Sequence, residues 1–218
     1  MNFEINGINY TRTSDENGIA VMAINLSPGN YTIKTTYKGC SVENNIEVLP
    51  TLIGENLIKY YRNESQFYIS LVNGRGTLVC GVNITMNING VFYNRTTNEN
   101  GTAKLNINLG PGQYILTAAD PLTGLMMSYN ITVLPIILAQ NISMHYKDGT
   151  QFRATLLDGQ GNPLPNKNLT FNINGIFYTR TTDLDGVSSL NINLMAGEYI
   201  ITSYYDSFAT SNRITIKN

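Results

Sequence analysis

One histidine, His145, two cysteines, Cys40 and Cys80, and 15 acidic residues are the raw material for any catalysis in this 218-residue chain. Nucleophilic catalysis needs a nucleophile, a base and a group that orients the base. His145 lies in MHYKDG, where a sister segment of the same chain has Tyr60. A His-based triad or a His-rich metal site is therefore not expected, and His145 reads as a surface or interdomain residue. Glycoside hydrolysis needs two carboxylates facing across a cleft. The acidic residues fall mostly in turns, and no such pair is visible. Asp183 and Asp185 in TTDLDG offer calcium two oxygens, but calcium takes roughly six to eight. The equivalent NENG carries Asn98 and Asn100, and Asx-turn chemistry explains both without a metal. The expectation is a non-enzyme with no catalytic residue, no metal and no cofactor.

Other side chains suit recognition or scaffolding. Arg12, Arg95 and Arg180 recur at one place, which points them inward at the end of a sheet, over an aromatic and within reach of water. The outward aromatics Phe92 and Phe177 suit packing against a neighbour, or else a sugar-stacking platform. Cys40 aligns with Leu125 and Phe208, which suggests a buried apolar place, and Cys80 aligns with Pro165. The two form no framework and read as free thiols. No lysine recurs at an inner position, so an internal isopeptide is not expected. Asn-x-Ser/Thr occurs at Asn9, Asn25, Asn30, Asn63, Asn83, Asn94, Asn100, Asn130, Asn141 and Asn168, more often than composition predicts. These ten are candidate N-glycosylation sites.

The elements that hold these residues repeat. Val82–Thr117 and Lys167–Thr202 are identical at 21 of 36 positions without a gap, and a third copy starts at Phe3. Gly7, Gly90 and Gly175 mark the same place, 83 and 85 residues apart, a period that suits a small β-domain rather than a solenoid. The implied units are 1–50, which lacks the opening strands, then 51–135 and 136–218. Almost no linker separates them, so they should sit end to end and fairly stiffly. Alternation in Phe67–Leu71 and Val82–Ile88 predicts strands with one buried face. Asn6-Gly7, Asn89-Gly90 and Asn174-Gly175 predict two-residue type I′ hairpins. That register turns Tyr10, Tyr93 and Tyr178 inward and Phe92 and Phe177 outward. The strand after the next turn carries Leu105, Ile107 and Leu109 inward, with Ile24 and Leu26 as the first copy's counterparts. Tyr31, Tyr114 and Tyr199 follow a glycine by two residues and resemble the tyrosine corner of Greek-key sandwiches. The fold class is all-β, with tandem immunoglobulin-like Greek-key β-sandwich repeats of about 85 residues and about seven strands each.

The words YYRNESQFYISL, NING-x-FY, RTTDLDG and L-x-x-G-x-Y-x-[IL]-T together resemble the bacterial and archaeal Ig-like repeats of surface adhesins, the invasin/intimin-type group. Adhesin-like proteins of methanogenic archaea come nearest in feel. The resemblance spans the whole chain and implies extracellular, cell-surface display and attachment. The chain departs from the pattern where Arg75–Cys80 replaces Gly161–Pro165, and in its incomplete first copy. The net charge of −1 speaks against a nucleic-acid partner. No stretch approaches 18 consecutive apolar residues, and neither a membrane span nor a signal peptide is expected within the chain. The function expected is a structural and adhesive stalk from a larger surface protein. Its partners would be neighbouring repeats, surface glycans or another cell's surface protein. The competing readings are a carbohydrate-binding module and a filament subunit that self-associates by strand complementation through the first copy.

Overall fold

The computed structural model describes all 218 residues. The chain folds into 20 strands and no helix. Residues 1–50 supply β1 (Asn2–Ile5), β2 (Ile8–Thr11), β3 (Gly29–Tyr37) and β4 (Cys40–Val48), a single antiparallel sheet in the order β2-β1-β3-β4. The second repeat supplies β5 (Leu52–Gly54), β6 (Leu57–Tyr60), β7 (Gln66–Leu71), β8 (Asn83–Ile88), β9 (Val91–Thr96), β10 (Thr102–Asn106), β11 (Gly112–Ala119) and β12 (Met126–Leu134). They make two facing sheets, β10-β7-β5 and β6-β12-β11-β8-β9. The third repeat supplies β13 (Ile137–Ala139), β14 (Ile142–His145), β15 (Gln151–Leu156), β16 (Asn168–Ile173), β17 (Ile176–Thr181), β18 (Val187–Asn191), β19 (Gly197–Tyr205) and β20 (Phe208–Lys217). Its sheets, β13-β15-β18 and β14-β20-β19-β16-β17, repeat the same order.

Each full repeat thus has eight strands rather than the seven expected, because its opening strand splits between the sheets. β5 runs antiparallel to β7, and β6 runs parallel to β12 in the other sheet. An asparagine holds the crossing point: Asn56 Oδ1 accepts the Asn130 N–H at 2.8 Å, and Asn141 Oδ1 accepts that of Arg213 at 2.8 Å. The Asn-Gly hairpins have the expected register, Ile88 opposite Val91 and Met86 opposite Tyr93. Asn174 and Gly175 both take positive φ, 51° and 79°, as a type I′ turn requires.

Alternation puts one face of every strand into the core. In the second repeat Phe67, Ile69 and Leu71 meet Ile84, Met86, Leu116 and Ile131, all at most 1% exposed. Phe152 and Phe171 centre the third core edge to face, 5.7 Å apart. Tyr93 and Tyr178 pack against these cores, while Phe92 and Phe177 are 72% and 65% exposed.

Residues 1–50 differ. Ile5 is their only buried residue, and no hydrogen bond or ion pair links residues 1–49 to the rest. No strand forms across 20–27, although the equivalent β10 and β18 are strands. Those two are held by β7 and β15, and the first copy has no counterpart of either. The segment keeps Ile24 and Leu26 half-buried but leaves Val21 75% exposed. The departure at Arg75–Cys80 leaves the turn intact. Val72 bridges Leu78 as Leu157 bridges Pro163, and Val79 N bonds Leu71 O as Leu164 N bonds Leu156 O, both at 2.9 Å.

Candidate functional site

The side chains that converge most are at the boundary of the second and third repeats. β6 ends in the loop Tyr60–Asn63, where Arg62 takes positive φ (62°) and Tyr61 N is held by Leu134 O at 2.9 Å. This loop lays its side chains on the end of the third repeat. Tyr60 lies over Gly161 so closely that a Cβ there would collide with its ring. Asn63 Nδ2 donates to Gly159 O at 2.6 Å. Tyr61 packs against Phe208, ring centroids 5.4 Å apart and planes tilted by 42°, and its hydroxyl lies 3.2 Å from Ser207 Oγ. Arg62 donates to Asp206 Oδ2 at 2.9 Å and to Ser207 Oγ at 2.8 Å. The Arg62–Asp206 pair is the one salt bridge in the chain; being exposed, it contributes orientation more than energy. The tight glycine contacts and the packed rings bring the two repeats into direct contact.

A shallow cleft of about 460 Å³ opens beside this loop, lined by Lys59, Asn106 and Asn108 among others. Lys59 is buried, and burial pushes its ammonium below the ordinary value of 10.5. Its Nζ donates to Ser65 O at 3.0 Å and Ile107 O at 2.9 Å, so the amine is committed to the backbone. Asp120, also buried, accepts from Thr51 and Thr123 hydroxyls at 2.6 Å each and from Leu122 N at 2.8 Å. Burial raises its pKa, but these hydrogen bonds outweigh that and leave it below 3.8. No group of three or more His, Cys, Asp or Glu side chains forms.

The residues singled out from sequence are dispersed. Arg12, Arg95 and Arg180 lie over Tyr10, Tyr93 and Tyr178 at 5.9, 5.5 and 6.0 Å and bond the preceding carbonyl. Asp183 Oδ1 accepts the N–H groups of Asp185 and Val187 at 3.0 and 2.9 Å, and Asn98 does the same for Asn100 and Thr102. Tyr31, Tyr114 and Tyr199 donate to Ser27, Gly110 and Met195 carbonyls at 2.7, 2.9 and 2.9 Å. His145 is exposed at the far end of the third repeat. Nine of the ten Asn-x-Ser/Thr asparagines are exposed; the exception, Asn63, has its amide nitrogen engaged in the joint, which a glycan would break. Cys40 corrects an expectation: it is exposed, not buried. It tips a hairpin opposite Tyr37, whereas Phe208 at the same place packs against its own repeat's core and is met by Tyr61 of the preceding repeat. Cys80 is likewise exposed, and both are free.

The Tyr60–Asn63 joint was not anticipated. Its one sequence signal was that YYRN and HYKD end the same strand in consecutive copies.

Two facing sheets with a split first strand and this order define an immunoglobulin-like β-sandwich, here in tandem. No family model matches the sequence, and no curated protein matches it. Among solved structures, the I9-I11 tandem of titin is similar at 16% identity and TM-score 0.34, over 99% of this chain and 87% of that one. Invasin, a bacterial integrin-binding protein, is similar at 17% identity and TM-score 0.35, over 76% of this chain and 38% of that one. A Bacteroides ovatus protein in complex with a mixed-linkage heptasaccharide is similar at 13% identity and TM-score 0.29, over 99% and 59%.

Proposed function

We propose that the chain is a structural and adhesive module, a stretch of extracellular stalk built from tandem Ig-like repeats of a larger cell-surface, adhesin-like protein. The observation that carries this reading is the joint, in which one loop of the second repeat grips a turn and a hairpin of the third. A fixed joint between otherwise independent cores is what a spacer needs and a catalyst does not. The units are 1–50, 51–135 and 136–218. The surface location and the kinship with adhesins rest on the sequence words quoted above, and so does the attribution to methanogens. Exposed Asn-x-Ser/Thr asparagines other than Asn63 are the acceptor sites a glycosylated stalk would use. Small-angle X-ray scattering tests the stalk, with a single extended envelope for residues 51–218 as the expected result. Labelling of intact source cells by antibody tests the location; signal only after permeabilisation would overturn it.

A second reading, carbohydrate binding, is favoured by one observation. Phe177 and Tyr204 stand exposed on the outer sheet of the third repeat with ring centroids 6.2 Å apart, beside the uncharged Asn172 and Thr202. Aromatic faces stack on sugar rings while amides and hydroxyls meet their hydroxyl groups. Glycan-array hits that vanish in Phe177→Ala would establish it, and a blank array would remove it.

A further inference from the structure

The loop that joins the second repeat to the third occurs twice. Tyr60–Asn63 and His145–Asp148 follow the parallel edge strands β6 and β14 and share one backbone conformation. Arg62 and Lys147 take positive φ, 62° and 59°. Asn63 N bonds Tyr60 O at 3.0 Å, and Asp148 N bonds His145 O at 3.2 Å. Tyr61 N is held by Leu134 O and Tyr146 N by Lys217 O, each at 2.9 Å. The last residue's side-chain oxygen takes a nearby N–H in both, from Ser65 at 2.7 Å and from Thr150 at 2.8 Å. The cation lies over its tyrosine ring, at 5.8 Å for Arg62 and 5.2 Å for Lys147. In the first case Tyr and cation rest on the next repeat. In the second they stand free, with Tyr146 41% exposed.

We propose that His145–Asp148 is a docking surface for the end of another repeat, one carrying the features that Tyr60–Asn63 grips. Those are glycines at the places of Gly159 and Gly161, and an Asp-Ser-aromatic hairpin at the places of Asp206, Ser207 and Phe208. The inference rests on the stalk reading and names the partner at this surface. Tyr146 stacks on the aromatic and reaches the serine, and Lys147 pairs with the carboxylate. The end of the second repeat fits less well. It has Gly74 and Gly76, but its hairpin turns over Asp120–Leu125, and the Asp120 carboxylate is turned inward to Thr51 and Thr123. It offers Lys147 no anion. Two features of the observed joint are not reproduced: His145 stands where the Tyr60 ring covers Gly161, and the asparagine bond is lost. Asn63 donates to Gly159 O, whereas Asp148 carries only acceptors, which its own loop occupies with the N–H groups of His145 and Thr150.

The test extends the full chain by fusing a copy of residues 136–218 directly after Asn218. This keeps the register, because Lys217 stands where Leu134 does. Residual dipolar couplings should give the added repeat a fixed orientation on the third, matching that of the third on the second. Amide exchange at Tyr146–Asp148 should slow by about tenfold. Lys147→Glu should weaken the coupling, and Asp206→Lys in the added copy should restore it. Fusing residues 51–135 instead should leave Tyr146 and Lys147 exchanging as in the unextended chain. An unfixed orientation with 136–218, or equal protection by both extensions, would overturn the proposal. A rigid second–third joint in the same molecules would still leave the stalk reading standing.

Discussion

Ser188 and Ser203 lie in the third core, 1% and 0% exposed, and their hydroxyls have no hydrogen-bond partner. The second repeat has Ala103 and Ala118 in the same places. A buried hydroxyl without a partner costs roughly 1–3 kcal/mol, so Ser188→Ala and Ser203→Ala should each stabilise the third repeat by about 1 kcal/mol. Denaturant titration of 51–218 checks this, and loss of stability in both would show that the hydroxyls are satisfied. Lys59 poses the opposite comparison, because the third repeat buries Met144 where the second buries an amine. Lys59→Met should stabilise the second repeat. The sign of the pH effect follows from the lowered pKa. Between the lowered value and 10.5 the folded chain has released a proton that the unfolded chain still holds, so wild-type stability gains relative to the variant as pH rises through that window. Melting curves of both proteins across the alkaline range test it; a constant gap between them would mean that Lys59 titrates normally.

At the scale of elements, the Asn-Gly hairpins and the joint loop carry different weights. Gly175 has positive φ, and a Cβ added there would meet nothing within 4 Å. The cost of Gly175→Val is therefore one of backbone alone, roughly 1–3 kcal/mol. An unchanged melting temperature would contradict the turn. Gly161 also takes positive φ, 84°, but there the Tyr60 ring of another repeat is an obstacle as well. Both turns were punctuated by glycine in the sequence, but only the first could be read there. A hairpin needs its own two residues, whereas the role of Gly161 depends on a ring about a hundred positions away.

For the whole molecule, the uneven units matter most. Residues 51–218 hold two packed cores, and residues 1–50 hold one sheet whose inner face lacks an opposing layer. Exposed apolar surface costs about 25 cal/mol per Å², and a bare edge invites strand addition. Residues 1–50 should therefore exchange their amides rapidly across Ile19–Ile33 in the monomer. A chain trimmed to 51–218 should be at least as stable and more nearly monomeric by light scattering. Slow exchange across Ile19–Ile33 in a proven monomer would show that the sheet stands by itself.

The sequence by itself determined what depends on near neighbours: the repeat, the side of each strand that faces inward, the Asn-Gly hairpins and the poverty of catalytic groups. Alternation and positive φ act over two or three residues, so Ile84, Met86 and Tyr93 could be placed without coordinates. The tertiary structure decided what depends on partners distant in the chain. It split the opening strand between two sheets, left 20–27 without a strand for want of a partner, exposed Cys40 and made Tyr60–Asn63 a joint. The physical reason is that pairing and burial belong to two surfaces at once, and a local pattern specifies only one of them.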